Sequence, residues 1–213
     1  MDFLHLDKRI CVCLKPAGVL STDEPGGMPE LLRAAFGSET ACVRSVHRLD
    51  RTVSGLMVYA RSHKAAQLLS EQIRSGGFEK EYLAVLHGRP ADAKGRLTDL
   101  LERDRVSRMT RVVTESSKDA REAVLEYEVL QEAEGLSLVR IRLLTGRTHQ
   151  IRVQFASRNL PLWGDGKYGK TEDSGDIALW SHRLAFRHPE TDEALAFSAA
   201  PPADKYPWSL FKL

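Results

Sequence analysis

Short apolar runs, separated by glycine, proline and charged residues, recur along the chain and predict β-strands. Residues Ile10 to Leu14 indicate a first strand, which ends where Lys15-Pro16-Ala17-Gly18 breaks regular structure. Residues 80–88 form a second run of this kind. Two further runs, 123–131 and 136–144, flank a glycine-containing turn and predict a hairpin.

Helical patterns stand between these runs. Residues 28–37 have proline in the first turn and glycine at the end, which is typical of a short helix. Ser62 is a candidate N-cap for a helix over residues 63–74. Apolar positions of this helix recur every four residues and should face the core: Ala65, Leu69 and Ile73. Because hairpin turns outnumber helical crossovers, we predict an α+β fold with a mixed, mainly antiparallel sheet and flanking helices.

The composition is typical of a globular protein. The chain has 213 residues, of which 42% are hydrophobic and 28% are charged. No linker rich in proline, glycine or serine divides it, so we predict a single domain over residues 1–213. No apolar stretch approaches the roughly 20 residues that span a membrane, and charged residues interrupt the N-terminus before a signal sequence could form. These features predict a cytoplasmic location.

Cysteine usage and motif content argue against bound cofactors. Cys11, Cys13 and Cys42 do not make a complete disulfide framework, and no Cys or His cluster at zinc spacing accompanies them. We therefore expect reduced, packed thiols. The sequence also lacks a Walker phosphate-binding loop and a Gly-x-Gly-x-x-Gly motif after a strand. These absences agree with an activity that uses neither a metal nor an organic cofactor.

One carboxylate stands out in residues 46–61. Asp50 lies between Arg48 and Arg51, with apolar residues before and after, so it should occupy a short connection at the edge of a cleft. A charged group there needs a partner, because an uncompensated buried carboxylate costs several kcal/mol. The alternative is an ordinary capping or solvated aspartate.

A second polar segment, Thr145 to Arg152, opens a predicted helix with Thr148 as candidate N-cap. His149 and Arg152 are three residues apart and share one face, so they either serve one small site or form a solvated surface. Tyr82 offers a flat ring and a hydroxyl group to a ligand, and is otherwise a core tyrosine.

Positive charge is unevenly distributed, although the net charge is only +2. Between Arg140 and Lys170 the only acid is Asp165. Another basic segment fits either a mobile loop that closes on a phosphate backbone or an exposed hairpin tip without a partner. Its arginines are Arg103, Arg105, Arg108 and Arg111.

Several of these segments together resemble the RluA-type pseudouridine synthases. The two specific motifs are His47-Arg48-Leu49-Asp50, followed by Ser54-Gly55, and Thr145-Gly146-Arg147-Thr148-His149-Gln150-Ile151-Arg152. Val53 stands where the family pattern usually has threonine. Weaker similarities are Lys15-Pro16-Ala17-Gly18 and Gly164-Asp165-Gly166-Lys167-Tyr168-Gly169.

The resemblance implies an enzyme that isomerises a uridine in structured rRNA or tRNA. It implies a curved sheet with a central basic cleft, and a catalytic domain without the small N-terminal domain of many relatives. Asp50 would be the catalytic carboxylate, Arg152 its partner, and Tyr82 would lie beside the uracil ring. Arg48 would enter the space that the base leaves. Residues expected to bind substrate or RNA are Arg48, His47, Lys15, Arg147, His149, Arg103, Arg105, Arg108 and Arg111.

Two other functions fit parts of the sequence. A non-catalytic RNA-binding or RNA-chaperone module would keep the fold and the arginines without needing Asp50. A small-molecule hydrolase with an aspartate nucleophile would need Asp50 but would explain neither the basic segments nor Tyr82. Target choice is expected to depend on loops such as residues 99–117. The sequence leaves the oligomeric state open, and we expect a monomer with RNA as partner and no membrane association.

Overall fold

The computed structural model describes residues 3–115, 117–169 and 172–213. Lys170, the last residue of the predicted basic stretch, therefore lies outside the described residues. The chain forms two compact units. The first unit contains the residues up to Lys80 together with residues 180–200, and the second contains residues 81–179 and 201–213. A single domain over residues 1–213 stays a prediction.

The first unit contains helices packed on a mixed sheet. Its elements are β1 (Phe3–Leu6), β2 (Ile10–Lys15), α1 (Met28–Ala35), β3 (Arg44–Ser45), β4 (Ser54–Ala60), α2 (His63–Ser75), β10 (Leu179–Arg187) and β11 (Ala194–Ser198). The strand order is β1-β2-β4-β10, with β3 also paired to β4 and β11 to β10. The β4–β10 pair is parallel and the others are antiparallel.

The core of the first unit explains why β2 and β4 are apolar on both faces. On one face, Val12 and Val58 pack with Ala65 and Leu69 of α2, as the four-residue period predicted. Helix α2 begins where the Ser62 side chain accepts a hydrogen bond from the backbone N–H of Ala65, and this confirms the predicted N-cap. On the other face, two buried free cysteines lie opposite two buried residues of β4: Cys11 opposite Tyr59, and Cys13 opposite Met57.

The second unit contains an antiparallel sheet and one α-helix in its described residues. Its elements are β5 (Glu79–His87), β6 (Lys94–Arg103), β7 (Thr110–Val113), β8 (Arg121–Ala133), β9 (Leu136–Leu143), α3 (Gln150–Ala156) and a 3-10 turn at Trp208–Leu210. The strand order is β5-β9-β8-β6-β7. Adjacent strands are antiparallel throughout.

The predicted hairpin at β8 and β9 is confirmed. Glu134 and Gly135 form its turn with φ of 51° and 74°, both left-handed. The pattern analysis missed β1, β3, β6 and β7. In β6, only Leu97 and Leu101 are buried apolar residues, so its hydrophobic period is too weak to indicate a strand.

The α+β fold with a mixed, mainly antiparallel sheet is confirmed. Within the described residues, no helix has both the length and the apolar character needed to cross a membrane.

Candidate active site

Asp50 lies on the connection between β3 and β4, and both of its neighbours in the chain are anchored. The Ser21 hydroxyl donates to the Leu49 carbonyl at 2.7 Å and accepts from the Leu49 N–H at 3.0 Å. On the other side, the Arg51 carbonyl accepts the Gly18 N–H at 2.8 Å. The Asp50 carbonyl itself accepts the Val53 N–H at 3.0 Å. The backbone at half-buried Asp50 is therefore held by hydrogen bonds on both sides.

Lys15 contributes to this anchoring, and its predicted role in binding RNA stays a prediction. The side chain is fully buried. Its ammonium group donates to the carbonyls of Pro16, Val19 and Arg51 at 2.9, 2.7 and 3.1 Å. Burial lowers the pKa of Lys15 to about 8, and the negative charge of Asp50 opposes that shift. With three carbonyl acceptors inside the fold, Lys15 organises the Asp50 connection instead of reaching outward.

His47 also has a structural role in the core, and its predicted contact with RNA stays a prediction. The ring is buried, lies 5.5 Å from the Phe78 ring, and accepts the Val58 N–H through Nε2 at 3.1 Å. Burial, with a smaller effect of the Lys80 charge, lowers the pKa of His47 to about 3. A neutral imidazole is therefore part of the core. Arg48, the next residue, is exposed.

The strand after Asp50 begins with a close contact between two backbones. Gly55 has φ of 118°, and a Cβ there would lie 2.5 Å from both the N and the O of Ser181. Only glycine fits this conformation and this spacing. Val53, at the family's threonine position, is 2% exposed, so its methyl groups pack in the interior.

In the second unit, Arg152 is held by a buried carboxylate. Its Nε donates to Asp165 Oδ2 at 2.8 Å and its Nη2 to Asp165 Oδ1 at 2.6 Å. Burial alone would raise the pKa of Asp165, but the bonds and charge of Arg152 and the N–H groups of Lys167 and Tyr168 outweigh it and keep the pKa below its usual value. Arg152 is thus a preorganised cation on α3.

The start of α3 differs from the prediction. Its N-cap position is His149, with φ of 56°, so Thr148 is not the N-cap. The Gln150 side chain holds the preceding turn: its Oε1 accepts from the Thr145 hydroxyl at 2.8 Å and from the Arg147 N–H at 2.9 Å. These bonds replace a threonine cap. Ser21 and Gln150 are positioning residues that the motif analysis did not single out.

Three other predicted site residues of the second unit have defined neighbours. His149 Nδ1 lies 2.7 Å from the Tyr168 hydroxyl. Exposed Arg147 donates through Nε to the Glu122 carbonyl at 2.8 Å. Tyr82, on β5, is 5% exposed and pairs with Ile141 of β9.

The arginine arm, residues 103–111, connects β6 to β7 as a hairpin. Arg103, Arg105 and Arg108 line a cavity of about 310 Å³ together with Asp119. Arg111 pairs with Glu102 at 2.8 Å. Val106, at the tip, is 95% exposed. This surface offers several guanidinium groups to an anionic ligand.

Acidic side chains neutralise more of the positive charge in the stretch after Arg140 than the sequence suggests. Arg140 forms a hydrogen-bonded ion pair with Glu128, and Arg142 lies 3.4 Å from Glu126, both on the adjacent strand β8. Arg158 pairs with Asp99 at 2.9 Å. Strand pairing thus brings acids that are distant in sequence to these arginines, so the stretch is not a continuous cationic surface.

Comparison with known proteins decides the family. The family model described as RNA pseudouridylate synthase matches residues 9–157. The chain belongs to the RNA pseudouridylate synthase family. Within the described residues of this synthase, no group of three or more His, Cys, Asp or Glu side chains is placed to hold a metal ion.

Two curated relatives support the assignment, and one solved structure shares the fold. The synthase is 33% identical to the uncharacterized RNA pseudouridine synthase YlyB of Bacillus subtilis, over 96% of this chain and 70% of that protein. It is 32% identical to the dual-specificity RNA pseudouridine synthase RluA of Pasteurella multocida, over 94% and 93%. Human RNA Pseudouridylate Synthase Domain Containing 1 shares the fold, with a TM-score of 0.80, 21% identity, and coverage of 94% and 83%. The synthase is therefore an RluA-type enzyme of the isomerase class.

Proposed function

We propose that this synthase converts a specific uridine of a structured rRNA or tRNA to pseudouridine, with Asp50 as the catalytic carboxylate. The observation that carries the proposal is the anchoring of Leu49 and Arg51 to the segment 15–21, which fixes the backbone at Asp50. A reactive group must be held in place before substrate binds, because misplacement by about 1 Å can cost ~100-fold in rate.

The reaction breaks the N1–C1′ bond of the uridine, rotates the base and joins C5 to C1′. The proton of C5 is then lost, and N1 carries a proton in the product, so atoms and charge balance without a redox partner. An ionised Asp50 assists departure of the base as a nucleophile or as a stabilising charge. Tyr82, or water held by it, is proposed to accept the C5 proton.

Arg152 is proposed as the counter-ion of Asp50 during the reaction, as the family resemblance implies. The Asp165 pair supports this role because it fixes the guanidinium plane on α3. A fixed cation stabilises developing negative charge at no reorganisation cost. Arg48 is proposed to occupy the space that the extruded base leaves, and its exposure leaves it accessible to RNA.

The arginine arm is proposed to bind the phosphate backbone. Arg105 supports this best, because its side chain is 87% exposed and its nearest carboxylate, that of Asp119, is 3.5 Å away. Contacts of this kind position RNA and weaken with added salt, without reading sequence. Target choice then depends on RNA shape around the arm.

The test uses rRNA and tRNA transcripts that carry tritium at uridine C5. Wild-type protein should release tritium, and Asp50→Asn should lower release by at least about 1000-fold while RNA affinity changes by only a few-fold. Asp92→Asn, which alters an exposed acid, is the matched control and should release tritium like wild type. RNA binding without release by wild type would favour the non-catalytic module, and equal loss of binding in Asp50→Asn would make Asp50 structural.

Sequencing pseudouridines in RNA from cells with and without the gene would then identify the target. One or a few positions lost with the gene are expected. Restoration by wild type but not by Asp50→Asn would assign each position to this active site.

A further inference from the structure

One short turn, residues 164–169, contacts the arginine arm at two points. The Tyr168 hydroxyl accepts the backbone N–H of Thr110 at 2.9 Å. The Lys167 ammonium donates to the carbonyl of Arg108 at 2.8 Å. Arg108 has φ of 56°, a left-handed conformation that is unfavourable for arginine and needs support from its surroundings. The turn therefore helps to determine the shape of the arm's C-terminal half.

The same turn contacts the two polar residues of the second motif. The Tyr168 hydroxyl lies 2.7 Å from Nδ1 of His149. The Arg152 guanidinium lies over the Tyr168 ring, with Cζ 5.2 Å from the ring centroid. Asp165, which binds Arg152 through both carboxylate oxygens, also accepts the N–H groups of Lys167 and Tyr168 at 3.0 and 3.1 Å.

We assign the phenolic proton of Tyr168 to its bond with His149, and this assignment favours one tautomer of the imidazole. Because the phenolic oxygen accepts from Thr110, its own proton is available to Nδ1 of His149. Neutral His149 then carries its proton on Nε2 and acts as a donor through that atom. Losing the Tyr168 hydroxyl removes its contribution to this preference, and it also removes the acceptor of the Thr110 N–H.

We infer that Tyr168 is a positioning residue that couples the arginine arm to His149 and Arg152. Binding of RNA to the arm then affects the active centre through these contacts. The inference rests on the proposed function, since it assigns the arm to RNA and Arg152 to catalysis. A displacement of Thr110 or Arg108 changes the hydrogen bonds of Tyr168 and Lys167. Those residues in turn bond Asp165 and His149.

A double-mutant cycle tests the coupling in single-turnover tritium release at saturating RNA. Tyr168→Phe keeps the ring over Arg152 and removes only the hydroxyl. It should slow release ~10-fold while RNA affinity stays within ~3-fold of wild type. Arg105→Ala should slow saturated release ~5-fold in the wild-type background but less than ~2-fold in the Tyr168→Phe background. Tyr206→Phe, a half-exposed tyrosine of the same unit, should behave like wild type.

Effects of Tyr168→Phe and Arg105→Ala that simply multiply would overturn the coupling. So would a Tyr168→Phe variant with the wild-type rate. If instead wild type releases no tritium, or Asp50→Asn releases it at the wild-type rate, the proposed function itself fails. That result is distinct from a failure of the coupling, which requires an active wild type.

A second measurement does not depend on activity. In ¹⁵N spectra of the histidine rings, His149 of the wild type should show an unprotonated Nδ1 and a protonated Nε2. Tyr168→Phe should shift the population toward the tautomer with a protonated Nδ1. The same ¹⁵N pattern in both proteins would contradict the assigned role of the hydroxyl, whatever the RNA measurements give.

Discussion

Arg152 and Asp165 form a bidentate ion pair in which the arginine side chain is 7% exposed and the aspartate side chain is fully buried. Removing the Asp165 charge takes a bidentate carboxylate partner away from a buried guanidinium. We therefore expect Asp165→Asn to lower the free energy of unfolding by about 3 kcal/mol or more. The variant should also slow tritium release, because two hydrogen bonds to one ionised carboxylate no longer fix the Arg152 guanidinium. Chemical denaturation and single-turnover rates measure the two effects.

The matched control is Asp192→Asn. Asp192 pairs with Arg187 at 2.7 Å, but both side chains are more than half exposed. An exposed pair contributes at most about 1 kcal/mol, so this substitution should hardly change stability or rate. Equal effects of the two substitutions would refute the importance of burial at Asp165.

Ser21 is expected to matter for catalysis although it is 28 residues away from Leu49 in sequence. Its buried hydroxyl makes both bonds to the Leu49 backbone, and Ser21→Ala leaves the Leu49 N–H without that acceptor. The cost should be about 1–3 kcal/mol in the free energy of unfolding. Tritium release should fall ~10-fold at unchanged RNA affinity, because the Asp50 connection loosens.

Ser137→Ala is the comparison for Ser21→Ala. Ser137 is equally buried and donates to the Gly88 carbonyl at 2.6 Å, so it should cost similar stability. Its release rate should stay near that of wild type. If both variants lose activity in proportion to stability, Ser21 has no specific effect on Asp50.

Local sequence signals were enough to predict helices α1 and α2, the β8–β9 hairpin and the two polar motifs. Each of these depends on residues a few positions apart, such as the Ser62 cap with Ala65, or Glu134 with Gly135. The periodic pattern of α2 also gave the correct buried face.

Long-range contacts account for what the sequence did not predict. Lys15 and His47 lie in motifs that resemble RNA-binding segments, yet their partners are backbone groups of Arg51 and Val58. Burial of a lysine with three carbonyl acceptors leaves no local signature in sequence. Arg140 and Arg142 seemed unpaired for the same reason, because the acids of β8 reach them only through strand pairing.

Gly55 should tolerate no side chain. In Gly55→Ala, the added Cβ would meet backbone atoms of Ser181 at 2.5 Å, in a conformation with φ of 118°. Backbone strain and overpacking together should cost roughly 3 kcal/mol in the free energy of unfolding. Gly166→Ala is the control, since a Cβ there meets nothing within 4 Å. Denaturation midpoints that shift equally in both variants would show that the contact with Ser181 does not cause the loss of stability.

His47 makes the stability of the protein depend on pH. Its pKa is about 3 in the fold and about 6.5 in the unfolded chain, so below pH 6.5 the unfolded state binds a proton that the folded state excludes. The stabilisation is complete above pH 6.5 and is lost as the pH falls toward 3. The free energy of unfolding should decrease by roughly 2 kcal/mol between pH 7 and pH 5. The lowered pKa of Asp7, about 2, acts only below pH 4, and the lowered pKa of Lys15, about 8, acts mainly above pH 7.

In this range His47→Gln should abolish the slope, and His63→Gln, at an exposed histidine, should retain it. Urea denaturation at several pH values measures all three proteins, and a slope that persists in His47→Gln would assign the proton uptake to another group.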